Sequence, residues 1–196
     1  MIQENTSRLA LAWLEQHQIS GLNPDSPWLR AMSPKHFAVD DYLVQAGARS
    51  DTLFMLLSGL VRLFYTTPDG RERNKAFYRG GQISGPVSAA MTSTPAPFSI
   101  QALEPVEALA FSYQAMTDAA RHDPVVAGAS QQMLAEAFIR NEQREALLLT
   151  CNAEQRYQWL RDNEPDLLQR VAQFHIASYL GIDAVSLSRL KRKIKA

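Results

Sequence analysis

The chain has 196 residues, 46% apolar and 20% charged, and its twenty Lys/Arg balance twenty Asp/Glu to zero net charge. This is the composition of an ordinary folded protein of one large or two small domains, and it excludes a general electrostatic pull of the whole molecule on nucleic acid. The single cysteine, Cys151, excludes an internal disulfide framework and any all-cysteine iron–sulfur or zinc site within one chain.

The first residues, Met1-Ile2-Gln3-Glu4-Asn5, show no basic segment leading into an apolar core. Residues 53–64 are the most apolar run, yet Ser58, Gly59 and Arg62 interrupt it and it is too short to span a bilayer. A cytoplasmic protein without a membrane partner is expected. Residues 7–18 read as an amphipathic helix with Leu9, Trp13 and Leu14 on one side, packed on the domain that follows. A loop at 23–27 then leads to a short helical turn carrying Trp28, Leu29 and Met32.

From Phe37 to Phe111 short apolar or alternating runs are separated by Gly and Pro signals, including Ser58-Gly59, Pro68-Asp69-Gly70, Gly80-Gly81, Gly85-Pro86 and Thr94-Pro95-Ala96-Pro97. Strands at roughly ten-residue spacing with such punctuation predict a sandwich or barrel. Arg71, Arg73 and Lys75 alternate along one strand and read as its solvated face. After a brief helix at 112–120, Asp123-Pro124 supplies an N-cap and a first-turn proline. Only Gly128 interrupts the helix predicted from Val125 to Cys151, about 40 Å long at 1.5 Å per residue. Its apolar stripe is Val126, Ala129, Met133, Ala137, Leu147, Leu148 and Cys151. Part of that stripe packs on the barrel, and the rest predicts a two-fold dimer seam, unless the monomer consumes it all. Met133, Ala137, Arg140, Leu147 and Leu148 are the expected seam residues.

Asn152-Ala153-Glu154-Gln155 opens the last segment as a capping box. Residues 151–196 hold eight Lys/Arg against five Asp/Glu, whereas residues 1–150 hold twelve against fifteen. The excess positive charge thus sits at the end. There, Ile176, Ala177 and Leu180 mark the inner face of one short helix, and Leu187, Leu190 and Ile194 that of the next. Gly181 stops the first helix and Asp183 caps the second. From Ala184 onward there is no acid, while Arg189, Lys191, Arg192, Lys193 and Lys195 are basic. A solvated helix usually mixes signs, so this pair reads as a helix-turn-helix whose outward Ser186, Arg189, Arg192 and Lys193 suit a major groove and its phosphates.

Taken with Leu57-Ser58-Gly59-Leu60-Val61-Arg62 and Pro68-Asp69-Gly70-Arg71-Glu72, these features resemble the cyclic-AMP receptor/FNR superfamily of bacterial transcription regulators. The likeness runs from about Tyr42 to Ile194. It is most specific in Ala153-Glu154-Gln155-Arg156-Tyr157, His175-Ile176-Ala177-Ser178-Tyr179-Leu180-Gly181-Ile182 and Ser186-Leu187-Ser188-Arg189. The resemblance implies an α+β fold: an N-terminal β-roll of the cyclic-nucleotide-binding type (a double-stranded β-helix) as effector or sensor domain over 1–122, a long dimerisation helix over 123–151, and a helix-turn-helix DNA-binding domain over 152–196. It implies a homodimer on a two-fold-symmetric DNA site, with RNA polymerase as a candidate further partner. Val185, Ser186 and Arg189 match the family's base-reading positions, Arg192 lies one turn on, and His175 is placed to touch a phosphate. Valine stands at 185 where many members have glutamate, which changes the expected half-site.

The effector pocket departs from the family pattern. Cyclic-nucleotide binders of this superfamily use a Gly-Glu pair for the ribose and a later arginine for the phosphate. Here the pair is Gly85-Pro86, followed by Val87, and Pro97-Phe98-Ser99 occupies the arginine's place. Residues 80–120 contain no Arg or Lys. Burying a cyclic phosphate without a cation costs several kcal/mol, so cyclic AMP is not expected to bind in the usual mode. The effector's identity stays open, and no cofactor or metal is expected. The four histidines, His17, His36, His122 and His175, are scattered and read as surface or loop residues. None lies in the barrel segment, which argues against a cupin-type metal enzyme; no Ser/His/Asp set or phosphate loop stands out, so no catalytic residue is assigned. A ligand- or partner-binding module with vestigial DNA binding is the alternative.

Overall fold

The computed structural model describes the backbone of residues 2–195 and the side chains of residues 4–193. The side chains of Ile194 and Lys195, counted above with the last helix, lie outside the described residues. In chain order the elements are α1 (Ile2–Gln16), α2 (Pro27–Arg30), β1 (Ser33–Phe37), β2 (Tyr42–Val44), β3 (Thr52–Ser58), β4 (Leu60–Thr66), β5 (Glu72–Arg79), β6 (Ile83–Ser84), α3 (Val87–Thr92), β7 (Ser99–Ala102) and β8 (Val106–Ser112). Helices complete the chain: α4 (Tyr113–Ala120), α5 (Pro124–Thr150), α6 (Ala153–Asn163), α7 (Leu167–Arg170), α8 (Gln173–Leu180) and α9 (Ala184–Lys195).

Two four-stranded sheets form, ordered β1-β8-β3-β6 and β2-β7-β4-β5. The first is antiparallel with the register Ser33↔Ala110 to Phe37↔Val106 for β1 and β8, and Thr52↔Ser112 to Leu56↔Ala108 for β3 and β8. The jump in strand order between sequence neighbours is the roll topology that the resemblance implied, where the turn signals alone predicted a sandwich or barrel.

The chain divides into two compact units that cut across its linear order. One contains residues up to Leu63 and Phe77–Ala135; the other joins Phe64–Ala76, the outer part of the β4–β5 hairpin, to everything from Glu136 onward. The long helix is therefore shared between them.

In the first unit Ala10, Trp13 and Leu14 of α1 join Trp28 and Leu29 of α2, Leu53 and Met55 of β3, Leu109 and Phe111 of β8, Met116 of α4 and Val126 of α5 in one apolar core. Trp13 Nε1 donates to Leu56 O at 3.1 Å, so the indole is buried without an unmet donor. Leu9, expected on the same side, is 39% exposed. The helix begins five residues earlier than predicted, and Thr6, Ala10, Trp13 and Leu14, at three-and-four spacing, define a buried face that leaves Leu9 outside.

The cap of α5 forms as the sequence proposed, with Asp123 Oδ1 accepting from the amides of Val125 at 2.9 Å and Val126 at 3.4 Å. The expected seam residues differ in exposure within the monomer. Met133 packs on the core of the first unit. Ala137, Arg140 and Leu147 are half-buried, and of the five only Leu148 is an exposed apolar residue. The three-and-four stripe read from the sequence mostly faces its own monomer. The unpartnered apolar residues lie elsewhere: Phe138 is 63% exposed, Ile139 52% and Leu149 76%. Phe138 and Leu149 are eleven residues apart, three turns along one side of the helix.

Candidate nucleic-acid interface

Two short helices and a turn position the basic surface. Helix α8 ends at Gly181, whose φ is +70° and whose added Cβ would sit 3.0 Å from Arg156 Nη1 and 3.3 Å from Leu148 Cδ2. A left-handed residue without a side chain fits there. Ile182 N then donates to Ala177 O at 3.0 Å, a six-to-one closure typical of a Schellman turn. Asp183 accepts from Ser186 N at 2.7 Å and from Ser186 Oγ at 2.8 Å, which caps α9. Those two bonds hold the Asp183 carboxyl below its ordinary range, the backbone amide of Ser186 being the larger cause. Leu187 is 1% exposed and pins α9 beneath.

The outward face is as basic as the sequence suggested, with Ser186, Lys191 and Lys193 already engaged. Val185 is 62% exposed, and Arg189 and Arg192 also stand in solvent. Ser186 is half-buried with its hydroxyl donated to Asp183. Lys193 Nζ lies 2.7 Å from Glu154 Oε2 in an exposed ion pair, and Lys191 Nζ donates to Gln173 Oε1 at 2.8 Å.

His175 corrects the expectation of a surface histidine. It is 8% exposed and faces the hairpin rather than solvent. Asn74 Nδ2 lies 3.2 Å from His175 Nδ1 and donates to His175 O at 3.0 Å. Asn74 N donates to Ser178 Oγ at 3.0 Å, and Ser178 Oγ donates back to Glu72 O at 3.2 Å. The reason is the near-continuous apolar lining of α8: Ile176, Ala177, Tyr179 and Leu180 are all buried, so the short helix has little solvent-facing surface to offer a histidine. Of the other histidines, His36 and His122 are exposed, whereas His17 stacks on Trp13 at 3.8 Å.

The far end of α8 is held by two arginines. Arg144 of α5 donates through Nη2 to Tyr179 O, and its guanidinium lies 4.1 Å from the centre of the Tyr179 ring. Arg156 of α6 donates from Nη1 to Leu180 O at 2.6 Å and from Nε to Cys151 O at 3.0 Å. Cations at a helix C-terminus satisfy its open carbonyls and its dipole. Sequence reasoning missed Asn74 and Arg144 because neither belongs to the helix-turn-helix segment. Only the fold brings residue 74 beside residue 175.

In the first unit the residues matched to the effector pocket are tightly packed. A Cβ on Gly85 would meet Leu53 Cδ2 at 2.4 Å. Pro86 is buried and stands at the N-cap of α3, a six-residue helix that the Gly/Pro signals had hidden, and Val87 packs on the apolar core. Phe98 is 5% and Ser99 7% exposed, and Ser99 Oγ accepts from Ala46 N at 3.0 Å. A buried cation does exist in this unit, outside the segment scanned for one. Arg62, read only as an interruption of an apolar run, is 5% exposed and donates to Gln101 Oε1 from Nε at 2.9 Å and Nη2 at 2.6 Å. Among the described residues, no group of three or more His, Cys, Asp or Glu is arranged to hold a metal ion.

In chain order, a two-sheet roll is followed by a long helix and a helix-turn-helix. Residues 34–123 match the family model of the cyclic nucleotide-binding domain. The whole chain has the fold of Crp/Fnr-type proteins. It is similar to a mutant of CooA from Carboxydothermus hydrogenoformans (16% identity, 93% of this chain and 84% of that one, TM-score 0.73). FixK2 from Bradyrhizobium japonicum is comparable (19% identity, 84% of each chain, TM-score 0.69). So is a transcriptional regulator of the crp/fnr family from Eubacterium rectale (15% identity, 93% and 86%, TM-score 0.71). No curated protein sequence matches the chain at a significant level. No described helix is long and apolar enough to cross a membrane.

Proposed function

We propose that the chain is a cytoplasmic DNA-binding transcription regulator that acts as a homodimer on a two-fold-symmetric site. The carrying observation is the face of α9: Val185, Arg189 and Arg192 are exposed on a helix free of acids, and a cap and a Schellman turn fix its direction. Arg189 reads a guanine through its guanidinium fork, and Val185 suits a thymine methyl. Arg192 and Lys193 serve phosphates, Lys193 exchanging Glu154 for DNA. Ser186 acts through the cap, and His175 acts by orienting α8 against Asn74. Phe138, Ile139, Leu148 and Leu149 form the seam between two copies, which sets paired recognition helices one groove repeat apart. RNA polymerase is the further partner this role calls for.

The effector domain does not take cyclic AMP in the usual mode. Pro86 replaces the acid that would hold the ribose, and Pro97-Phe98-Ser99 fills the place of the phosphate-binding arginine. Calorimetry with cyclic AMP should give no binding heat at micromolar concentration. Micromolar uptake would overturn this reading of the pocket.

Selection of random DNA by the full chain tests the main proposal. A common two-fold motif is expected, with affinity falling steeply as salt rises. Arg189→Ala should cost about 1–3 kcal/mol and relax preference at one base position per half-site. Fragments with no shared motif, from a chain that elutes as a monomer, would instead favour a ligand-binding module.

A further inference from the structure

The uncovered side of α5 is not wholly apolar. Phe138, Glu142, Glu145 and Leu149 follow one another at steps of four, three and four residues, so all four side chains share one side of the helix. Both glutamates are exposed, and neither makes a hydrogen bond or ion pair among the described residues. In the seam between two copies, on which this inference rests, these carboxylates meet the second chain. A carboxylate that leaves water there needs a cation beside it. We infer that the cation is Arg73 of the β4–β5 hairpin, and that Arg73 of each copy pairs with Glu142 of the other.

Arg73 belongs to the alternating stripe of Arg71, Arg73 and Lys75, which has no other assigned role. Lys75 Nζ donates to Asn141 Oδ1 at 2.9 Å, which turns this face of β5 toward α5. Strand side chains alternate, so Arg73 leaves β5 on the same face as Lys75, about 7 Å nearer the turn. It is exposed and makes no hydrogen bond or ion pair among the described residues. Asp69 of the turn already holds Arg71 at 3.0 Å and meets Arg73 only through its field. A guanidinium fork left open in this way suits a carboxylate. The choice of Glu142 follows from the helix. At about 100° per residue, Asn141 lies about 60° from Phe138 on one side, and Glu142 about 40° on the other, toward Ile139. Two parallel copies of α5, with a two-fold axis along the seam, set the Asn141 flank of one beside the Ile139 flank of the other. The hairpin anchored at Asn141 therefore looks across the seam at Glu142 of the second copy.

Charge reversal in trans tests the pairing. Self-association of the full-length chain is followed by analytical ultracentrifugation over a wide concentration range. Arg73→Glu and Glu142→Arg should each weaken the dimer by about tenfold or more, because each homodimer then holds two like-charge contacts. An equimolar mixture of the two variants restores opposite charges at both contacts, and it should form a heterodimer of near-native affinity, detected by labelling one variant. A pairing inside one chain predicts no such rescue. A mixture that associates no better than either variant alone, or variants that dimerise as tightly as the native chain, would overturn the proposal. Phe138→Asp tests the seam separately and should leave a monomer. A native chain that stays monomeric, or a Phe138→Asp chain that dimerises unchanged, removes the seam and the pairing with it. A dimer that depends on Phe138 yet ignores charge reversal loses the Arg73 contact alone. All three positions are exposed, and circular dichroism checks that each variant is folded.

Discussion

The two compact units hold together by different means. Among the described residues, of the twelve largest side chains sealed from solvent, ten belong to the N-terminal unit and only Leu160 and Leu167 to the C-terminal one. The roll is an apolar object whose polar contacts trim its edges. The C-terminal unit has a small core, and its first helix-turn-helix element is gripped by named polar groups: Asn74 and the Glu72 carbonyl along its length, Arg144 and Arg156 at its end. Apolar burial tolerates shape-preserving substitution. A hydrogen-bonded clamp does not, because removing one partner strands the other. A helix-turn-helix held by a few polar contacts can also be re-aimed at lower cost than one welded into a core.

That contrast can be broken at several strengths. The largest effect is expected in the roll. Leu109 is fully buried in β8 between two partner strands, and Leu109→Ala should cost about 2–5 kcal/mol in chemical unfolding by opening a cavity. A loss below 1 kcal/mol would mean that the N-terminal core is not the dominant apolar store. Next comes Asn74→Ala, which strips the side-chain donor from His175 O and leaves that carbonyl without this partner. About 1–3 kcal/mol is expected, read as early loss of hydrogen-exchange protection in α8 while the roll's amides stay protected. Uniform loss across both units would show that the clamp is not local.

The smallest effect concerns the cap of α9. Asp183 has a folded pKa below its ordinary value of 3.8 because Ser186 donates to its charged form. Its contribution is therefore fully present above the ordinary value and is lost as pH falls through the folded one. Asp183→Asn keeps a capping side chain with no charge to titrate. Ellipticity followed through an acid titration should show a component in the native protein that is missing from the variant. Identical acid profiles for both would remove the cap's charge from the account.

Much of the architecture was legible because it rests on local rules. Gly181 and Asp183 announced the turn and cap of the helix-turn-helix, Asn152 and Gln155 formed their reciprocal capping box, and Asp123-Pro124 opened the long helix as expected. The Gly/Pro punctuation located most strands, though it concealed α3 behind Pro86. What failed depended on neighbours distant in sequence. His175 carried no sign of its burial, since its partner is 101 residues away. Met133 and Phe138 are both apolar on one helix, and periodicity alone does not say which side a monomer will cover.

Taken alone, the chain's order of residues determined which segments become strands or helices, where each helix stops, and that positive charge collects on the last one. Those outcomes follow from dihedral preferences, capping and spacing, all settled within a few residues. Tertiary structure decided which basic side chains of α9 remain open to solvent, which apolar face of α5 lacks a cover, and that a hairpin asparagine and two arginines hold α8. These depend on approach between distant parts of the chain, because burial and hydrogen-bond partnership are properties of a surrounding and not of a residue.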